Sequence, residues 1–194
     1  MSLSEFALIE SYFCRQKTLR NDVILGIGDD AAILATRENQ ALVVAIDTLV
    51  EGVHFFAGTN ANHLGVKALA VNLSDLAAMG AEPAWATLAI TLPSVNAAWL
   101  QAFSDGFNTL AEQTKVQLVG GDTTRGPLTI TVQVHGWVDE RLALRRDAAK
   151  VGDLIYLTGT LGDGVAGLLA QQASLVMDDT VRNTVLARYL TPSP

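Results

Sequence analysis

Cysteine is nearly missing from this chain: Cys14 is the single one among 194 residues. That excludes internal disulfides and any zinc site built on a cysteine pair, and Cys14 itself reads as a small hydrophobe packed on a helix. Basic residues are also few, 13 Lys and Arg against 20 Asp and Glu, for a net charge of −7. Without a Lys/Arg stripe, no nucleic-acid partner is expected. Apolar runs are short; WATLAITLP is the nearest to a membrane span and falls far below the required length. The opening MSLSEFALIESYF carries Glu5 and Glu10 and lacks the basic start of a secretory signal. The phosphate-loop pattern G-x-x-x-x-G-K-[ST] and the zinc pattern H-E-x-x-H do not occur either. The expectation is a soluble cytoplasmic protein with no membrane partner. What is present is 49% hydrophobic and 17% charged, which suits one full core and part of a second.

Ser2-x-x-Glu5 is a capping-box pattern, and Phe6, Ile9 and Phe13 recur at helical spacing, so 3–16 reads as a helix. Residues 23–27 read as a strand. The runs 31–34 and 41–46 flank a polar turn at 36–40 and suggest a hairpin. A helix over 62–79, apolar nearly all round, should be buried and stops at Gly80. Strands at 85–92, 116–119 and 129–138 and an amphipathic helix at 97–114 follow. The order, roughly αββαβαββ, points to an α+β fold, a mixed sheet layered with helices. After the polar stretch 139–150 come a strand at 154–157, a Gly-rich turn at 158–164, a short helix at 165–172 and one more helical stretch. Residues 1–138 therefore read as one domain, and 139–194 as a linker and the incomplete start of a second, α/β domain.

Gly26-Ile27-Gly28-Asp29-Asp30-Ala31 has the G-x-G-x-x-A form of a dinucleotide fingerprint, with Asp47 further on. The interval from Asp30 to Asp47 is too short for the crossover helix of a βαβ unit, and two carboxylates sit where a pyrophosphate would rest. A different pattern emerges along the chain. Asp29/Asp30 follow Gly28, Asp47 ends an apolar run, Asp75 sits in the apolar helix, and Asp122 follows Gly120-Gly121. Any one of these is ordinarily a turn residue or a cap. Asp75 is the exception, because a carboxylate in an apolar helix needs a partner or a cation. Oxygen-only donors without cysteine or clustered histidine suit Mg²⁺, which is held by one or two carboxylates plus substrate phosphates. The run Gly120–Pro127 adds exposed amides and Arg125. The turn TGTLGDG reads either as a second phosphate cradle or as a plain strand-to-helix junction. Lys67 lies two helical turns from Asp75, which makes an electrostatic pairing feasible.

The segments VILGIGDDAA, IDTLVEGVHF, KALAVNLSDLAAMGAEPAW, LVGGDTTRGP and AKVGDLIYLTGTLG, in this order, resemble thiamine-monophosphate kinase, of the aminoimidazole ribonucleotide synthetase and selenophosphate synthetase superfamily. NLSDLAAMGA is shared across that superfamily; DTLVEGVHF with GGDTTRGP is more specific to the kinase. The resemblance covers this chain but only the first part of the family's length. It implies the N-terminal domain of the aminoimidazole ribonucleotide synthetase-like fold, homodimerisation through the sheet, and transfer of a phosphoryl group from ATP to thiamine monophosphate with several Mg²⁺. Matched motif by motif, it implies Asp30, Asp47, Asp75 and Asp122 as metal ligands. It further implies Gly121, Asp122 and Arg146 at ATP, and His54 at thiamine monophosphate. Read without the resemblance, His54 is a capped loop histidine and Arg146 a solvated charge. The family usually has Ser-Thr just before Asp47; here Ala45-Ile46 leave only backbone carbonyls, so Ile46 would serve through its main chain. Two other readings stay open: a non-catalytic dimerising fragment, and another ATP-using superfamily member acting on an aminoimidazole precursor.

A phosphate acceptor is already anionic near neutral pH, so this reaction requires no strong general base. Its difficulty is bringing two polyanions into line, which an acidic, metal-binding site addresses by positioning and charge neutralisation.

Overall fold

The computed structural model describes residues 5–194; the Ser2 half of the capping box lies outside them. The chain runs α1 (Glu5–Tyr12), β1 (Val23–Leu25), β2 (Ile33–Leu34), β3 (Ala41–Val50), α2 (Ala61–Ala78), β4 (Glu82–Leu92), α3 (Ala97–Thr114), β5 (Gln117–Arg125), β6 (Thr129–Val138), α4 (Asp163–Gln171) and α5 (Asp179–Leu190). Four strands form one mixed sheet in the order β3-β6-β4-β5, and β1 with β2 forms a separate hairpin. The fold is α+β, as the element order implied.

The alternation of β6 decides which face is covered. Ile130, Val132 and Val134 are almost fully buried and join Leu88 and Ile90 of β4, with Leu64, Leu69 and Leu76 of α2 and Phe103 and Phe107 of α3. The two helices cross at a pair of glycines. A β-carbon on Gly65 would strike the Phe103 carbonyl oxygen, and one on Gly106 would strike that of Asn62. α2 begins where the Asn60 side chain accepts the N–H groups of Asn62 and His63. It ends at left-handed Gly80 (φ 69°), with Gly80 N–H on Ala77 O and Ala81 N–H on Leu76 O.

Several expectations need correction. Residues 31–34 do not pair with β3. β2 pairs with β1, closed by Ala35 N–H on Asp22 O at 2.8 Å, while β3 takes a ten-residue antiparallel register with β6. That longer ladder satisfies far more backbone than a short hairpin could. α1 ends at Tyr12 rather than 16, and Cys14 beyond it is exposed rather than packed. β5 continues through Gly120-Gly121-Asp122 to Arg125 as a parallel edge strand on β4, where the strand was expected to end at 119. The helix over 62–79 is buried on one side only: Ser74, Asp75, Ala77 and Ala78 are exposed, so Asp75 meets solvent rather than core. Lys67 makes no ion pair with Asp75, eight residues and about 12 Å of rise away; its ammonium sits 3.9 Å from the ring centroid of Tyr189 in α5. Finally, 154–157 forms no strand, and these residues stand exposed.

Candidate phosphate-binding cavity

Two acidic segments meet at a cavity of about 700 Å³ beside the β5 edge. One wall is the loop between β1 and β2, with Gly28, Asp29, Asp30, Ala31 and Ala32. Gly28 has φ 127°, a conformation a side chain would strain, so the turn depends on it. Asp30 donates its N–H to Asp29 Oδ1 at 2.8 Å, which ties the Asp29 carboxylate to the backbone of the bend. The facing wall is β5 from Leu118 to Thr123, with Thr87 and Leu88 of β4 behind it. At Gly121 a β-carbon would collide with the Leu88 carbonyl oxygen, so glycine is what lets the edge strand lie this close to β4. Gly120, by contrast, faces open space. The remaining wall is apolar and comes from α1 and the turn after it: Phe6, Ile9 and Phe13, with Glu10 and Cys14 at the margin. Cys14 is exposed as a residue, but partial desolvation of its thiol first, and the nearby Glu10 carboxylate second, push the thiol pKa up.

The hairpin is held to the sheet by a polar and aromatic cluster. Asp22 takes a two-pronged ion pair from Arg20 (Nε–Oδ1 2.8 Å, Nη2–Oδ2 2.7 Å) and the indole N–H of Trp85 at 3.0 Å. The Arg20 hydrogen bonds hold the Asp22 carboxyl below its ordinary pKa. Arg37 pairs with both oxygens of Glu82 at 3.0 Å and lies 5.8 Å from the Trp137 ring centroid. Val23, Ala32 and Leu34 of the hairpin pack on Trp85, Val119 and Trp137.

The implied site residues fall into two groups. Asp30, Gly121 and Asp122 line the cavity. Asp47 and Ile46 lie in β3, at the other edge of the sheet. Asp47 shares a row with Val132, Leu88 and Gly121, three strand spacings or about 14 Å across. It lies on the helix-covered face with Leu49, whereas Asp122 pairs with Ala89 on the open face. Asp75 is carried on the exposed side of α2, which packs on β3. His54 is in the turn after β3, where its Nδ1 accepts the Val50 N–H at 3.0 Å and caps the strand end. Arg146 is exposed in the segment after β6, beside Arg145, which pairs with Asp147 at 2.6 Å. Among the described residues no three His, Cys, Asp or Glu side chains gather closely enough to hold a metal by themselves. The cavity donors nonetheless fit Mg²⁺: hard carboxylate oxygens from two chain segments, leaving coordination positions for phosphate and water.

What the sequence reading missed is the α1 wall. Its signal was present in the Phe6, Ile9 and Phe13 spacing, read there only as the pattern of a helix. The dinucleotide form of Gly26–Ala31 is excluded by the fold, since only β2 and the first residues of β3, and no helix, lie between it and Asp47.

A helix-backed mixed sheet, with glycine-cleared aspartates at one edge, defines a class. The chain belongs to the AIR synthase related proteins, whose N-terminal domain model matches residues 28–138. Within that class it is similar to thiamine-monophosphate kinases. The Escherichia coli K12 relative is 53% identical over the whole of this chain and 60% of its own length. The structure from Stenotrophomonas maltophilia K279a is 51% identical, with a TM-score of 0.87 over all of this chain and 63% of that one. AaThiL complexed with AMPPCP and TMP is 28% identical, with a TM-score of 0.75 over 100% of this chain and 61% of that one. The chain thus spans about 60% of the length of the curated relatives it matches. No helix among the described residues is long and apolar enough to cross a membrane.

Proposed function

We infer that this chain is the nucleotide- and metal-binding part of a thiamine-monophosphate kinase, with residues 1–138 as its first domain and 139–194 as linker and start of a second. The observation that carries the reading is the joint cavity of the Asp29-Asp30 loop and the Gly120–Asp122 segment, in a chain 53% identical to such a kinase. In the reaction, an oxygen of the thiamine monophosphate phosphate bonds to the γ-phosphorus of ATP. The bond from that phosphorus to the β,γ-bridging oxygen breaks, leaving ADP and thiamine diphosphate.

Asp30 and Asp122 are the ligands on the donor side, with Gly121 bringing backbone close to the ATP phosphates and Arg146 contacting the nucleotide. Asp47, the Ile46 carbonyl and Asp75 are the ligands on the acceptor side, and His54 contacts thiamine monophosphate. Mg²⁺, when bound, supplies neutralisation of the phosphate charge. The protein's part is positioning, and no general base is assigned, because the acceptor is already an anion. The open sheet face, with Leu42, Val44 and Ile46 exposed on edge strand β3, supports a homodimer. A cytoplasmic location belongs to the same reading.

Calorimetry of the intact chain with Mg²⁺ and a non-hydrolysable ATP analogue tests it, with sedimentation of the same sample reporting the dimer. Binding that weakens at least tenfold in Asp122→Asn is expected, by analogy with lost ligand-shell residues. No heat of binding would favour the non-catalytic dimerising fragment. A species of 20.6 kDa, the mass of one chain, would remove the dimer.

A further inference from the structure

We propose that Asp22 is a positioning residue for the acidic loop, fixing the place of Asp30 relative to Asp122; this rests on the reading of Asp30 as a metal ligand. The loop tip has little to hold it. Asp29, Asp30 and Ala31 are exposed, nothing lies near the Gly28 α-carbon substituent direction, and the β1–β2 ladder pairs only Val23 with Leu34 and Leu25 with Ile33. Apart from Ile27, which packs on the main core, the position of the tip is set at its base.

Asp22 is that base. Its carbonyl takes the Ala35 N–H at 2.8 Å and closes the hairpin. Its carboxylate is anchored on both oxygens, by the Arg20 fork and by the Trp85 indole. Trp85 lies in β4 two residues before Thr87, a residue of the cavity wall. Arg20 carries the connection on to β5, through Nη1 to the Lys115 carbonyl at 3.0 Å and through its backbone N–H to Gln117 Oε1 at 2.7 Å. One carboxylate thus joins the loop of Asp30 to β5, the strand that carries Asp122, and to its neighbour β4. The Asp22 and Arg20 side chains are each only 12% exposed, so solvent screens this pair little. Arg37, 3.9 Å from Asp22 Oδ2 and 32% exposed, is an outer support. Apolar packing of Val23, Ala32 and Leu34 on the Trp85 cluster, and of Ile27 on the main core, is the rival anchor, and it survives a change of charge at Asp22.

The test is hydrogen–deuterium exchange of the intact chain, read with Mn²⁺ alone as the bound probe. Asp22→Asn should speed exchange over 23–34 about tenfold, leave α2 and α3 unchanged, and weaken Mn²⁺ binding about tenfold. Asp30→Asn should weaken Mn²⁺ binding without altering exchange over 23–34. Unchanged Mn²⁺ binding in Asp30→Asn removes the metal reading, and the exchange result still decides the clamp. Wild-type protection and wild-type Mn²⁺ affinity in Asp22→Asn overturn the proposal. So does exchange that rises uniformly along the chain, which marks Asp22 as a stability residue only. If Asp22→Asn does not fold, Arg37→Gln is judged by the same two outcomes, with shifts of about threefold expected for a partly exposed pair.

Discussion

In β6 the alternation TITVQVHGWV buries Ile130, Val132 and Val134 against helices, whereas the run Leu154-Ile155-Tyr156-Leu157 stands in solvent, with Ile155 fully exposed. Both stretches have the composition of a strand. The first has β3 and β4 on either side to take its N–H and C=O groups; the second has no strand beside it among the described residues. Apolar content makes burial favourable, but a sheet forms only where a neighbour satisfies the backbone. The contrast extends to the two regions. Helices α2 and α3 interlock through Gly65 and Gly106 over a continuous core. Beyond residue 138, only Ala170 and Val185 among the hydrophobics are buried, where α4 and α5 pack through Gly167.

The largest expected effect breaks the first region. Phe103→Ala removes a fully buried ring stacked 5.3 Å from Trp99 and should cost about 3–5 kcal/mol in urea denaturation. The matched change Ile155→Ala should stay within about 0.5 kcal/mol, as at other surface positions. Equal losses would mean that 154–157 is packed in solution and would erase the contrast. The smallest effect sharpens it at one residue of β6. Burial pushes the His135 pKa below its ordinary value, so the fold favours the neutral ring. Above the unfolded pKa of about 6.5 that preference costs nothing, and stability is lost as pH falls from there toward the folded pKa. Melting temperatures from pH 7.5 to 5 should therefore fall less steeply in His135→Gln than in wild type. Parallel slopes would show that His135 carries none of the dependence.

Much of the first region was legible because its signals are local. Ala97–Thr114 and Thr129–Val138 end where the pattern ends, at a cap and at a change of period. Gly80 marked the stop of α2 because a left-handed residue is required there. Pairing was not legible, since nothing in 31–34 says whether its partner lies at 23–25 or 41–46. Asp75 was misplaced because alanine serves both faces of a helix: Ala77 and Ala78 are exposed while Ala68 and Ala70 are buried. Of the cavity, the two aspartate-bearing segments could be named from sequence. That Asp30 and Asp122 share it, and that Asp47 stands three strands away, follows only from register.

The pairing of β3 with β6 also sets a timetable. Val50 aligns with Thr129, so about 80 residues must be made between the end of one strand and the start of its partner. At ribosomal rates of about 5–20 residues per second, β3 waits some 4–16 s with both edges unpaired. Helix α2, β4, α3 and β5 emerge during that wait, and the β4–β5 ladder, once made, offers β6 its first edge. The earliest long strand is then completed last, and Leu42, Val44 and Ile46 are on show to other nascent chains throughout synthesis.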